Sequence, residues 1–153
     1  MRAQRSTARI ARDIALAVLV SGLALTGPAQ AAPFQAPISF TIGSGLSSQC
    51  QTLTVADNTQ LTVSFASVLT EASTTGQQVT GVFLFTRLAG QPTDSYNAVP
   101  VAALSAVNYS GSQVMTAYAD SGIANNPRLC VSRSTTTGTM AVYGTVNGYT
   151  TVP

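Results

Sequence analysis

The chain is 153 residues long, contains no histidine and no lysine, and carries only 8% charged residues. Without histidine there is no Ser-His-Asp or Cys-His nucleophile system, no H-E-x-x-H zinc site and no imidazole acid or base. Without lysine there is no Schiff-base chemistry, and the few arginines form no basic patch able to track nucleic-acid phosphates.

The amino terminus reads as an address. Arg2, Arg5, Arg9 and Arg12 make a basic start, Ile14 to Leu25 is apolar apart from Ser21 and Gly22, and Ala29-Gln30-Ala31 is an A-x-A cleavage signal. The apolar stretch falls short of the roughly 20 residues that span a bilayer. Residues 1–31 are therefore predicted to be a cleaved secretory signal, with residues 32–153 forming one extracytoplasmic domain and no membrane insertion after cleavage. Residues 32–153 keep Arg87, Arg128 and Arg133 against Asp57, Glu71, Asp94 and Asp120, a formal charge of −1. Serine and threonine supply 33 of these 122 residues. With abundant valine, that composition favours strands, and the low charge and high apolar content argue against disorder.

In chain order, Phe34, Ala36, Ile38, Phe40 and Ile42 alternate with Gln35, Pro37, Ser39 and Thr41, the period of a strand with one buried face. Pro33 and Pro37 confine this strand to a sheet edge or a strand start. Either it completes the sheet of its own chain or it is an arm exchanged with a neighbour. Leu53-Thr54-Val55 and Leu61-Thr62-Val63 are predicted to pair as a hairpin about Asn58, with Phe65 extending its buried face. Glu71 to Gln77 reads as a loop. Val79 to Leu88, the most apolar run, reads as a central strand covered on both sides or facing a partner. Gly90 to Asn97 reads as a loop, Val99 to Val107 as a strand or a helical turn, and Gln113 to Ala119 as a strand. Asp120 to Pro127 reads as a loop and Arg128 to Ser132 as a strand. Asn147-Gly148 predicts a closing hairpin between Thr139–Val146 and Tyr149–Val152.

Eight or nine short strands with no long helix predict an all-β, single-domain β-sandwich, immunoglobulin-like or jelly-roll-like, with a small β-barrel as the alternative. Cys50 and Cys130, both in the exported part, are predicted to form one disulfide. Closing a loop of about 80 residues is worth on the order of 4 kcal/mol in the chain-entropy model.

The carboxylates are scattered through predicted loops and strand ends, which suits neither paired-carboxylate hydrolysis nor calcium binding. Asp120-Ser121-Gly122 matches the short D-[ST]-G pattern of aspartic proteases, but it is also an ordinary turn and is read as one. The arginines are read as solvated ends or partners of the few acids. No cofactor or metal is predicted, and the expectation is a non-enzymatic protein. The candidates for a ligand or partner surface are Tyr96, Tyr109, Tyr118, Tyr143 and Tyr149, since tyrosine joins contact area to a hydrogen-bonding tip. The leading functional expectation is a secreted or cell-surface structural or adhesive subunit, associating with itself or with a protein partner. The alternative is a small binding module for carbohydrate or protein.

Overall fold

A computed structural model describes residues 31–122 and 125–153; the expected export signal thus lies outside the described residues, Ala31 excepted. The strands are β1 (Ala32–Ile42), β2 (Ser48–Thr52), β3 (Gln60–Ala72), β4 (Val79–Thr86), β5 (Ser95–Ala98), β6 (Val101–Ala103), β7 (Asn108–Asp120), β8 (Arg128–Arg133) and β9 (Met140–Thr151). They form two antiparallel sheets, ordered β1-β9-β3-β7-β6 and β2-β8-β4-β5. No strand pairing joins the sheets among the described residues, so the architecture is the expected sandwich and not a closed barrel.

The alternation in β1 is realised as predicted. Phe34, Ala36, Ile38, Phe40 and Ile42 lie opposite Gly148, Val146, Gly144, Val142 and Met140 of β9 in the same chain. Ile38, Ile42, Met140, Val142 and Val146 are buried, and Phe34, Ala36 and Phe40 pack against them. The facing sheet contributes Val82 and Leu84 from β4 and Leu129 and Val131 from β8. β1 is an edge strand whose free edge is blunted. The Ser39 amide donates to Gln51 Oε1 at 2.8 Å, and Gln51 Nε2 donates to the Pro37 carbonyl at 3.0 Å. These bonds fix which positions point away from β9, and Pro33 and Pro37 share that side without an N–H to offer. Gln51 belongs to β2, so its amide also closes the seam between the sheets.

Two predicted hairpins are replaced by other pairings. Leu53 and Val55 are buried but do not pair with Leu61 and Val63: β2 ends at Thr52, and the Leu53 amide donates to the Pro127 carbonyl beside β8. Asn58 does turn the chain, with φ of 56°, but the arms on either side of it enter different sheets. The matched Leu-Thr-Val runs reflect two strands burying against one core, a local resemblance that does not require them to be neighbours.

Asn147-Gly148 is likewise not a turn, because β9 runs through it unbroken between β1 and β3. The glycines serve close approach instead. A Cβ on Gly148 would lie 2.1 Å from the Thr62 carbonyl oxygen, and one on Gly144 2.0 Å from that of Ser67. The register shift between Val63 and Phe65 lies against the same stretch of β9, consistent with a bulge that sharpens local twist. Val99 to Val107 yields the short strand β6, and no helical turn forms. β4 is an interior strand between β8 and β5, with Val82, Leu84 and Thr86 buried and Phe83 and Phe85 half-buried on the outer face.

Arg133 is not a solvated end, and among the described residues it has no ion-pair partner. It is 3% exposed and points into one end of the sandwich. Its Nε donates to the Leu46 carbonyl (2.9 Å), Nη1 to Gly138 O and Gln77 Oε1 (both 3.1 Å), and Nη2 to the carbonyls of Gly43 (2.7 Å) and Thr136 (3.4 Å). Gln77, equally buried, donates onward to Thr74 Oγ1 and to the Thr137 carbonyl. The charge is thus solvated by oriented peptide dipoles, an arrangement that avoids the cost of a buried bare cation.

Replacing the guanidinium strands several carbonyls at once. Arg133→Met is therefore expected to lower unfolding free energy by about 3 kcal/mol in urea titration, and Gly148→Ala by about 2 kcal/mol through backbone overlap. Among the described residues, Thr70 Oγ1 is buried without a hydrogen-bond partner. Thr70→Val should raise the urea midpoint, by about 1 kcal/mol in free energy, because a stranded hydroxyl becomes a methyl.

Candidate functional site

The outward face of the four-stranded sheet is organised in rows by its register. Thr52 of β2 lies opposite Arg128 of β8, Arg128 opposite Phe85 of β4, and Phe85 opposite Tyr96 of β5. The adjacent row runs Cys50, Cys130, Phe83, Ala98. Opposed residues in antiparallel strands project from the same face, so both rows stand on the outer surface. Cys50 and Cys130 are bonded as predicted, with Cα atoms 4.0 Å apart. The bridge ties an edge strand to its neighbour and suits an oxidising environment.

The first row brings aromatic and charged groups together. Phe85 and Tyr96 meet edge to face with ring centroids 4.8 Å apart, and the Arg128 guanidinium lies 5.2 Å from the Phe85 centroid. Asp94, in the loop before β5, accepts from Arg87 Nε at 2.8 Å and from Arg128 Nη2 at 2.6 Å. Together with Thr52, Thr86 and Asn126 these groups line a shallow cleft of about 270 Å³. The lining presents hydroxyl, amide, carboxylate and guanidinium groups, with the Phe85 ring beneath Arg128.

Asp120 holds one wall of this cleft in place from the other sheet. Its backbone amide donates to the Arg87 carbonyl at 3.0 Å, and its Oδ2 accepts from the Ala89 amide. Oδ1 accepts from Gln60 Nε2 at 3.0 Å. Asp120 ends β7, and both its carboxylate oxygens accept hydrogen bonds from other parts of the same chain.

The tyrosines divide among three settings. Tyr118 and Tyr149 both lie opposite Thr62 of β3, on the outward face of the five-stranded sheet, and Tyr143 stands on that face opposite Leu69. Strand spacing separates Tyr118 from Tyr149 by about 10 Å, and Tyr143 lies about 20 Å along β9 from Tyr149. Val114, 77% exposed, and Leu69 extend the same face, with Ser67, Ser112 and Thr145 between them. Tyr96 belongs instead to the opposite sheet. Tyr109 is structural: its hydroxyl donates to the Gln77 carbonyl at 3.3 Å.

The sequence offers the arginines only one at a time and does not single out the cleft residues Phe85, Asp94 and Asn126. The signal was present in part, since Phe83 and Phe85 alternate with Leu84 and must share one face of β4. The pairing that sets Phe85 between Arg128 and Tyr96 is long-range.

Fold and bridge together define a disulfide-linked antiparallel β-sandwich. Comparison with protein-family models and with curated protein sequences finds no match to this chain.

Proposed function

We propose that this is an exported, non-enzymatic structural or adhesive protein that works by surface contact through the outward face of its five-stranded sheet. The observation carrying this reading is the composition of that face. Tyr118, Tyr143, Tyr149, Val114 and Leu69 stand exposed among serines and threonines, and among the described residues no charged side chain interrupts them between Glu71 and Asp120. Large uncharged aromatic surface with hydroxyl rims gives contact area at low desolvation cost, as interface residues do. Low net charge removes the repulsion that keeps molecules apart.

Contact through the face is favoured over exchange of β1. Gln51 and the two prolines take up much of the hydrogen-bonding capacity of that edge, and an edge so blunted is a poor template for another strand.

Purified residues 32–153 should associate with themselves, or be retained on arrays of extracellular proteins and glycans. The double variant Tyr118→Glu/Tyr149→Glu should weaken that association about tenfold or more, as loss of interface anchors does, while keeping its melting temperature within a few degrees. A protein that sediments as a monomer at about millimolar concentration and is retained by neither array would refute the proposal.

A further inference from the structure

We infer that the cleft between Arg87, Asp94 and Arg128 on the opposite sheet is a second, independent site, which binds an anionic monosaccharide unit through its charged group. Arg87 and Arg128 are the only arginines among the described residues that reach the surface, since Arg133 is enclosed. Both converge on the same cleft. Within the described residues each donates a single side-chain hydrogen bond, Nε of Arg87 and Nη2 of Arg128, both to Asp94. Most of the donors in each guanidinium fork therefore stay free for an oxyanion. The carboxylate between them orients the pair without neutralising it: Arg87, Arg128 and Asp94 sum to +1, and the Asp120 carboxylate behind the wall is taken up by the Ala89 amide and Gln60.

The rest of the lining selects the remainder of the ligand. A volume of about 270 Å³ lies below the range of drug-sized pockets, roughly 300–1,000 Å³, and suits one sugar ring better than a larger aromatic. Thr52 and Asn126 supply hydroxyl and amide partners for sugar hydroxyls, while the half-buried Phe85 ring, with the Arg128 guanidinium over it and Tyr96 against it, supports Arg128 from below. Placement is also fixed in advance: the Asp120 bonds to Arg87 and Ala89 tether the loop that carries one wall. A preset site loses less entropy on binding. The shared chemistry is an anionic sugar, its charge a carboxylate or a phosphate, with a uronate the better match to the paired planar forks.

The test is a ligand titration of the disulfide-bonded protein, residues 32–153, followed by two-dimensional NMR. Separate arms use D-glucuronate, glucose 6-phosphate, D-glucose and acetate. Glucuronate is expected to shift the amides of Phe85, Asn126 and Arg128 with saturable millimolar affinity, about tenfold or more tighter than glucose or acetate. Arg128→Gln should abolish the preference for glucuronate over glucose while leaving the remaining spectrum dispersed. A stronger response to glucose 6-phosphate keeps the anionic-sugar site and assigns its charge to phosphate. Equal responses to glucuronate, glucose and acetate, or shifts confined to Tyr118 and Tyr149, would overturn the inference. The wild-type map alone decides this even if the variant does not fold.

Discussion

The guanidinium of Arg133 is the constraint on which one whole end of this sandwich depends. Three segments cross from one sheet to the other there: residues 43–47 between β1 and β2, 73–78 between β3 and β4, and 134–139 between β8 and β9. Arg133 bonds to carbonyls in the first and third, and reaches the second through Gln77. Each crossing must bring backbone polar groups near the apolar interior, where an unpaired carbonyl is costly. A single planar fork with several donors satisfies several of these groups at once, which a lysine ammonium could not do with the same geometry. The arginine is therefore a substitute for water at the end of the core.

The opposite end is closed by different means. Asp120 binds the Arg87–Ala89 segment across the two sheets, and Asn126 Oδ1 accepts from the Val55 amide at 3.4 Å. Along one seam, Gln51 stitches β2 to β1. A chain this poor in charge relies on amide, hydroxyl and carbonyl partners for these joints, and uses its few ions sparingly. Arg133 and Asp120 hold the frame, whereas Arg87, Arg128 and Asp94 cluster on an outer face. That separation is why the surface carries one uncharged aromatic face and, on the other sheet, one compact charged cleft.

Glycine placement shows how local pattern and tertiary demand can diverge. Asn-Gly between two β-branched runs carries the local chemistry of a tight turn, yet β9 keeps it extended. Both edges of β9 are claimed, by β1 and β3, and the hydrogen bonds of two ladders outweigh the preference of two residues for positive φ. The same glycines let the neighbouring carbonyls approach where any Cβ would collide. In the Leu53 and Leu61 runs the divergence has another cause. Leu53, Val55, Leu61 and Val63 are buried as their patterning requires, but the pattern does not state in which sheet. The register shift after Val63 also turns Phe65, expected on the same buried face, to the outer side opposite Val114.

The amino-acid sequence by itself determined the class of the fold, the inward face of β1, the strand character of β4, β7 and β8, and the pairing of the two cysteines. Each of these follows from short-range periodicity or from there being one possible partner. Only the tertiary structure decided the sheet order, the continuity of β9, the burial of Arg133 and the meeting of Arg87, Asp94, Phe85 and Arg128 in one cleft. Those depend on register between strands far apart in the chain, and register is set by how two whole sheets pack. No window of ten residues contains that information.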